Sequence, residues 1–401
     1  MRPLTPQLAR WLTHGEAYQA LAGLRERPID PHDTLPALTD LRTSYTEAEA
    51  AALLDQALLR QKAVDKFGEL AARMLFTDEA LQQASGLAIA RYRSARYDGF
   101  QHVADLGCGI GGDSLGLARQ APRLLLIELD AIRLTFAEHN LRQARLATRV
   151  ESALADWTTH PLVGVDAAFA DPDRRPEGKR VFSLHESRPS LSEILAVQAR
   201  LPNLGVKTLP GIDEAEIPPH CEVEWISDRG TLKEAVLWFG ALRSDASRRA
   251  TLLRDGTAAT LTERALPDEP LPVDAPRQWL WEPDDAVIRA SLVAAVGAAL
   301  GATQIDAQIA YLSSDDWHDT PLARGWPVLQ DGPFHLKTLN RWLRARPARV
   351  VAVKKRGSPV EPERFRRRLY SDPLGEPVTV FLTRHRDDPW MILCGDERRP
   401  A

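Results

Sequence analysis

Cysteine is scarce in this sequence, and long hydrophobic runs are missing from it. The 401 residues include only three cysteines, Cys108, Cys221 and Cys394, whose wide spacing suits neither a disulfide framework nor a zinc site. No apolar stretch approaches the roughly 20 residues that a membrane-spanning helix needs. The amino terminus also lacks the pattern of a secretory signal. We therefore expect a cytoplasmic chain that binds no metal and enters no membrane.

Positive charge is unevenly distributed along the chain. A net charge of −4 argues against a protein that coats nucleic acid along its whole length. Residues 341–401, however, hold 15 Lys or Arg against 8 Asp or Glu. This local excess predicts either a surface that binds a polyanion or an ordinary solvated helix face.

The spacing of apolar residues divides the chain into four parts. Residues 1–97 show helical periodicity and predict an N-terminal helical domain. Residues 98–245 predict an α/β domain, because short apolar runs alternate with helix-length segments and so favour a mostly parallel sheet. Prolines mark residues 246–278 as a linker. Residues 279–401 then predict a separate α+β domain. The strand-like runs of the α/β domain are 102–106, 124–127, 165–170 and 204–209, followed by a final hairpin at 221–227 and 234–240.

A glycine-rich loop, Asp105-Leu106-Gly107-Cys108-Gly109-Ile110-Gly111-Gly112-Asp113, follows the first of these runs. Glycines in a turn between a strand and a helix allow the backbone to approach a ligand closely. Gly107, Gly109 and Gly112 fit the pattern G-x-G-x-x-G, which is also the fingerprint of dinucleotide-binding domains. The loop alone therefore indicates either a nicotinamide cofactor or S-adenosylmethionine.

Carboxylates around the loop favour S-adenosylmethionine. Asp105 precedes Gly107, where it would attract an ammonium group and repel a pyrophosphate. Glu128 ends the next strand, where it can accept both ribose hydroxyls, and the pair Asp156-Trp157 suits an adenine edge and face. Taken singly, Glu128 and Asp156 could equally be ordinary capping or loop acids. The antiparallel hairpin at the end of the sheet also separates this pattern from a nicotinamide domain.

Residues 67–242 resemble class I S-adenosylmethionine-dependent methyltransferases, and most closely the RNA-cap trimethylguanosine-synthase-like enzymes. The segment from Leu75 to Leu81 is similar to the phenylalanine-threonine segment that helps to close the cofactor pocket in that group. The resemblance implies an α/β fold with a Rossmann-like class I methyltransferase sheet. The cofactor residues that it implies are Phe76, Thr77, Asp105, Gly107, Gly109, Gly111, Asp113, Glu128, Leu129, Asp156 and Trp157.

The region after residue 279 resembles the THUMP-like α+β domain of bacterial members of this group. The similar segments are 281–284, 309–312 and 353–357. Because THUMP domains accompany RNA-modifying enzymes, the resemblance implies RNA as the substrate. Phosphate contacts are expected from Arg174, Arg175, Lys354, Lys355 and Arg356, and further arginines at 364–368 could add to them. Trp342, Phe365 and Tyr370 could stack on bases or belong to the core.

The catalytic segment is expected at Asp171-Pro172-Asp173-Arg174, directly after the strand-like run 165–170. Amine-methylating relatives have Asp/Asn-Pro-Pro and an aromatic residue there, so carbon, ring-nitrogen or hydroxyl acceptors are open alternatives. Asp171 is the candidate base, and His185 and Lys207 are weaker ones. The protein mainly has to align the nucleophile for in-line displacement. A small-molecule or protein methyltransferase and a noncatalytic RNA-binding protein are the alternative functions.

Overall fold

The computed structural model describes residues 4–27, 29–146, 148–173 and 183–398. The chain forms two compact units. The first unit comprises Met1–Glu222 and Ala235–Ser244, and the second comprises Val223–Glu234 and Asp245–Ala401. No helix in the described ranges is both long enough and apolar enough to cross a membrane.

The N-terminal part of the first unit is helical, as its periodicity predicted. The longest helix begins with a capping box in which Thr46 and Glu49 satisfy each other's backbone N–H groups. Its apolar side packs against the helices on either side of it in the chain. The helices are α1 (Pro6–Leu12), α2 (Gly15–Glu26), α3 (Leu35–Leu41), α4 (Glu47–Phe67), α5 (Asp78–Gln83) and α6 (Leu87–Ser94).

A Rossmann-like sheet follows. Its strands are β1 (His102–Leu106), β2 (Arg123–Glu128), β3 (Arg149–Leu154), β4 (Ala167–Ala170), β5 (Leu204–Thr208), β6 (Glu222–Asp228) and β7 (Thr231–Trp238). Within the first unit the order is β3-β2-β1-β4-β5-β7. Neighbours among β1 to β5 pair in parallel, and β7 runs antiparallel to β5. The predicted parallel sheet with an antiparallel last strand is thus confirmed. Its helices are α7 (Ser114–Leu117), α8 (Ala131–Ala144) and α9 (Leu191–Arg200).

The second unit contains a β-hairpin where a linker was predicted. Strands β8 (Arg248–Arg254) and β9 (Thr257–Thr262) pair with each other, and β8 also pairs in parallel with β6. The linker prediction for 246–278 is therefore wrong for residues 248–262. Asp255 and Gly256 form the turn with positive φ angles of 49° and 82°, which is the backbone that an Asp-Gly hairpin turn requires. The prolines that suggested a linker all lie after this hairpin.

The rest of the second unit is an α+β structure, as predicted. Its strands are β10 (Trp279–Pro283), β11 (Thr303–Asp306), β12 (Ile309–Ser314), β13 (Ala323–Pro333), β14 (Ala348–Lys355), β15 (Glu376–His385) and β16 (Asp388–Cys394). They form a sheet of order β11-β12-β10-β13-β16-β15-β14, in which only the pair of β14 and β15 is parallel. The helices are α10 (Asp285–Arg289), α11 (Val293–Ala299), α12 (Leu336–Arg344) and α13 (Pro362–Arg366).

Gly116 in α7 allows the helix after the glycine loop to touch the N-terminal helices. A Cβ atom at this position would lie 2.3 Å from the carbonyl oxygen of Ala90 in α6. We predict that Gly116→Ala lowers the free energy of unfolding by about 1–3 kcal/mol, because two backbones would have to separate. Urea denaturation followed by circular dichroism measures the change.

Gly23→Ala is the matched control for this substitution. Gly23 lies inside α2, and a Cβ atom there would meet nothing within 4 Å. This variant should be more stable than the wild type by about 0.5–1 kcal/mol, because alanine favours a helix interior. Equal stability of Gly116→Ala and wild type would show that the contact between α6 and α7 is not tight.

Candidate functional site

The glycine loop connects the buried end of β1 to α7. The amides of Gly107 and Cys108 both donate to the carbonyl oxygen of Ile127, at 2.9 and 3.1 Å, which holds the loop against β2. Gly107, Gly109 and Gly111 have φ angles of 77°, 54° and 82°. Glycine adopts such backbone angles at the least steric cost, so the sequence pattern matches the conformation of the loop.

Gly107 and Gly109 differ in what surrounds them. A Cβ atom at Gly107 would lie 3.1 Å from the carbonyl oxygen of Asp171 and 3.7 Å from Nε1 of the buried Trp157. Gly107 therefore brings the ends of β1, β3 and β4 together. At Gly109, by contrast, a Cβ atom would meet no described residue within 4 Å. The open side of Gly109 is where a ligand can approach the backbone of the loop.

Glu128 lies at the end of β2 and binds this loop. Its Oε2 atom accepts from the amide of Gly109 at 2.8 Å, and its Oε1 atom accepts from the amides of Leu129 and Asp130 at 2.8 and 3.1 Å. The side chain is only 8% exposed. Each oxygen keeps acceptor capacity for a hydroxyl group. Leu129, the next residue, is 69% exposed and offers an apolar surface beside it.

Asp105 lies at the centre of a buried polar network. Its Oδ2 atom accepts from the hydroxyl of Ser114, whereas its Oδ1 atom is buried and has no hydrogen-bond partner among the described residues. Burial, with the nearby carboxylates of Asp113 and Asp171, raises the pKa of Asp105 to about 8, against the opposing effects of Ser114 and Arg93. A positively charged group placed at Oδ1 would complete the network.

Arg93 reaches this network from α6. Its guanidinium is almost fully buried, pairs with Asp113 and donates to the hydroxyl of Ser85 at 2.9 Å. It also covers the ring of Phe169 in β4 at 4.4 Å from the ring centre. The N-terminal helices thus supply the cation that balances the acid at the end of the glycine loop.

The phenylalanine-threonine segment is held by two buried side-chain amides, one of which also binds the glycine loop. Gln56 in α4 exchanges hydrogen bonds with the backbone of Phe76 at 2.9 and 2.7 Å. Asn140 in α8 exchanges bonds with the backbone of Leu75 and also donates to the carbonyl oxygen of Ile110 at 2.9 Å. Phe76 is completely buried, and Thr77 caps α5 through the amide of Ala80. Through Asn140, the segment therefore stabilises the glycine loop.

Asp171 follows β4 and forms a close ion pair with Lys207 of β5. The Nζ atom of Lys207 lies 2.7 Å from Oδ2 of Asp171, and the lysine side chain is only 4% exposed. The Asp171 side chain is 21% exposed, and within the described ranges its Oδ1 atom has no hydrogen-bond partner. Oδ1 is therefore available to a substrate while Oδ2 is held in place.

Other predicted site residues have more local surroundings. Asp156 is exposed and accepts from the amide and hydroxyl of Thr158, at 2.8 and 2.7 Å, as in a local turn. Pro172 is buried, Asp173 exchanges backbone hydrogen bonds with Arg188, and His185 is exposed. Arg174 and Arg175 lie outside the described residues.

In the second unit, two of the three predicted phosphate-binding cations are paired within the protein. Lys354 pairs with Glu282, and Arg356 lies 3.7 Å from Glu282 and 3.3 Å from Asp285. Lys355 is exposed. Of the three aromatic residues named as candidates for base stacking, Phe365 and Trp342 pack in or against the core, and Tyr370 is 41% exposed.

Several polar residues of the first unit were not singled out from the sequence. They are Arg93, Ser114, Gln56 and Asn140. One signal was available, because Arg93 lies four residues after Ile89 and therefore on the apolar side of α6. An arginine on such a face needs a buried partner. Among the described residues no group of His, Cys, Asp and Glu could hold a metal ion.

Comparisons with known proteins agree with this geometry. A family model described as THUMP domain-like matches residues 323–396, and one described as a domain of unknown function matches residues 6–63. The crystal structure of a candidate methyltransferase from Porphyromonas gingivalis W83 covers 96% of this chain and 98% of its own, with a TM-score of 0.79 and 19% identity. At that identity the likeness shows the fold, which is that of a class I methyltransferase.

A curated relative has a higher sequence identity to this chain than that structure has. An uncharacterized S-adenosylmethionine-dependent methyltransferase from Mycobacterium tuberculosis H37Rv is 37% identical over 343 residues, which covers 83% of this chain and 92% of the relative. The corresponding protein of strain CDC 1551 matches equally well. The glycine loop and its carboxylates thus occur in a chain that belongs to the S-adenosylmethionine-dependent methyltransferases.

Proposed function

We propose that this methyltransferase modifies a nucleotide of RNA. The observation that carries the proposal is the THUMP domain-like match over residues 323–396, since THUMP domains accompany RNA-modifying enzymes. The excess of Lys and Arg in residues 341–401 supports it, because a polyanionic substrate favours such a region. We expect the reaction in the cytoplasm, because all three cysteines are buried and free.

The cofactor is held, in this proposal, by Asp105, Gly109 and Glu128. Three observations support the assignment: the unpartnered buried oxygen of Asp105, the open side of Gly109, and the oxygens of Glu128 that can still accept. A buried carboxylate oxygen without a donor suits the ammonium of an amino acid, and an acceptor at the end of β2 suits a ribose. Bound there, S-adenosylmethionine supplies a methyl group that its sulfonium already makes electrophilic.

Asp171 is the residue proposed to act on the substrate. Its Oδ1 atom accepts a hydrogen bond from the nucleophile. When the nucleophile has to lose a proton, the same atom takes up that proton. Lys207 fixes Oδ2 at 2.7 Å and compensates the negative charge of the carboxylate. Arg174 and Arg175 follow in sequence and are proposed to bind a phosphate of the same substrate. The chain's own contribution is therefore mainly alignment of the acceptor.

Incubation with S-adenosylmethionine labelled in its methyl group tests the proposed function. RNA, protein and metabolite fractions of a cell extract are offered separately to the full chain, and RNA should be the fraction that becomes labelled. Asp171→Ala should lower the initial rate by about 100-fold, because it removes the acceptor of the nucleophile's proton. Label found only in protein or in metabolites would refute RNA as the substrate.

A double-mutant cycle tests the pair of Asp171 and Lys207. We predict that Lys207→Met and Asp171→Asn each reduce kcat/KM by about tenfold or more, and that the double variant is no worse than the poorer single variant. The reason is that each change disrupts the same carboxylate. Lys207→Arg, which keeps the cation, should retain more activity than Lys207→Met. Additive losses would instead mean that the two residues act independently.

Cofactor binding should depend on pH through Asp105. Its raised pKa of about 8 means that the free protein holds a proton there at neutral pH. An ammonium beside Oδ1 favours the ionised form, so binding releases the proton. The affinity for S-adenosylhomocysteine should therefore rise by up to about tenfold per pH unit below pH 8 and level off above it. Calorimetry near pH 7 in two buffers of different ionisation enthalpy counts the released proton.

Asp105→Asn separates this effect from titration of the ligand's own amine. The asparagine cannot ionise, so this variant should bind more weakly and lose the dependence between pH 6 and 8. If Asp105→Asn keeps the wild-type pH dependence, Asp105 is not the group that meets the ammonium.

A further inference from the structure

The second unit carries a cluster of exposed cations that joins the arginines at 364–368 to cations of α12. Residues 337–370 contain 12 Lys or Arg and only two acidic residues. Seven of the cations are exposed on α12 and on α13 with the turn that follows it. One of them, Arg366, donates to the carbonyl oxygen of Val350 at 3.0 Å, and the other six are considered together. We call them the basic helical face, which consists of Lys337, Arg341, Arg344, Arg364, Arg367 and Arg368.

The α12 half of this face follows from helix geometry. Leu339 and Leu343 are fully buried in the core of the unit. Lys337, Arg341 and Arg344 follow each other at intervals of four and three residues, which places them on one side of a helix. That side is opposite to the two leucines, and all three cations are exposed.

The other half is held beside α12 by defined contacts. Asn340 donates to the carbonyl oxygen of Arg368 at 3.1 Å and accepts from the amide of Tyr370 at 2.6 Å. The guanidinium of Arg344 lies over the ring of Tyr370, 5.4 Å from its centre. Phe365 anchors the same segment in the core. The arginines at 364, 367 and 368 therefore stay next to the cations of α12.

The basic helical face is not neutralised by the protein. Within the described ranges, none of its six cations lies within 4.0 Å of a carboxylate, whereas Arg324, Lys354 and Arg356 all surround Glu282. Like charges that are close together repel each other and do not stabilise the fold. An external anion that touches several of them at once would remove that repulsion.

We propose that the basic helical face binds the phosphate backbone of RNA. The inference rests on the proposed function, and it adds the cations of α12 to the residues expected to contact the substrate. Lys and Arg side chains on a helix contact phosphates without reading bases, so binding should be largely independent of sequence. The exposed ring of Tyr370, beside Arg344, gives an unpaired base a place to stack. This combination of ring and cations favours RNA over an acidic protein.

Fluorescence anisotropy with the full chain and a labelled 24-nucleotide RNA hairpin tests the inference. The test variant carries Lys337→Gln, Arg341→Gln and Arg344→Gln. Each phosphate contact adds about 0.7 to the slope of log affinity against log salt, so the loss of three should lower the slope by about 2. Affinity at about 0.1 M salt should fall by about 100-fold. A second variant, Arg364→Gln with Arg367→Gln and Arg368→Gln, should behave alike.

The charge-matched control carries Arg10→Gln, Arg25→Gln and Arg27→Gln, three exposed arginines of the first unit. It should keep the wild-type affinity and slope. If the control loses as much affinity as the test variants, or if the test variants bind like the wild type, the basic helical face is not the RNA surface. In either case, labelling of RNA in the methyl-transfer assay would leave the proposed function intact.

Two further probes examine the choice of partner. Polyglutamate and vesicles of phosphatidylcholine with phosphatidylglycerol are offered to the same proteins at the same salt concentrations. Tighter binding of either probe than of RNA by the wild type would overturn the inference. A wild type that binds no RNA at about 0.05 M salt and labels none in the methyl-transfer assay would refute the inference and the proposed function together.

Discussion

The parallel pairing of β1 with β4 is the constraint on which the whole site depends. In this register Leu106 is opposite Ala170, and the amide of Asp171 donates to the carbonyl oxygen of Leu106 at 3.1 Å. The glycine loop and the catalytic segment therefore leave the sheet side by side. Gly107 must then be glycine for two reasons, its φ of 77° and the carbonyl oxygen of Asp171 beside it. One strand pairing thus places the proposed cofactor and substrate residues together.

Charge at this edge of the sheet is only partly compensated within the described residues. Arg93 compensates Asp113, and Lys207 compensates Asp171, but Asp105 keeps a buried oxygen that no described residue contacts by a hydrogen bond. A buried carboxylate that is not compensated destabilises a fold, which is why the pKa of Asp105 rises. Such a group is tolerated where a ligand completes it. The N-terminal helices take part in this arrangement, since α6 contributes Arg93.

The sequence was informative where the backbone requires a particular residue type, or where the signal lies in residues that are close together in the chain. The loop glycines, the parallel strands and the acid that ends β2 could be predicted, because positive φ angles and buried strands leave short-range patterns. Arg93 and Asn140 could not be assigned in this way, because their partners lie up to 65 residues away in the chain. The hairpin at 248–262 was missed because the linker was assigned from the prolines that follow it, although the Asp-Gly pair at 255–256 is a hairpin signal.

The same limit applies to the positive charge of the second unit. In the sequence, Lys354 and Arg356 look as available to a phosphate as the residues of the basic helical face. In the structure both of them lie around Glu282, whose side chain is only 7% exposed. A phosphate would have to compete with that carboxylate for the two cations. Part of the attraction between phosphate and cations would then only replace the attraction that the carboxylate already provides. In the part of the chain that the structure describes, the six cations of the basic helical face have no such competitor, so the same phosphate would interact with them at less cost.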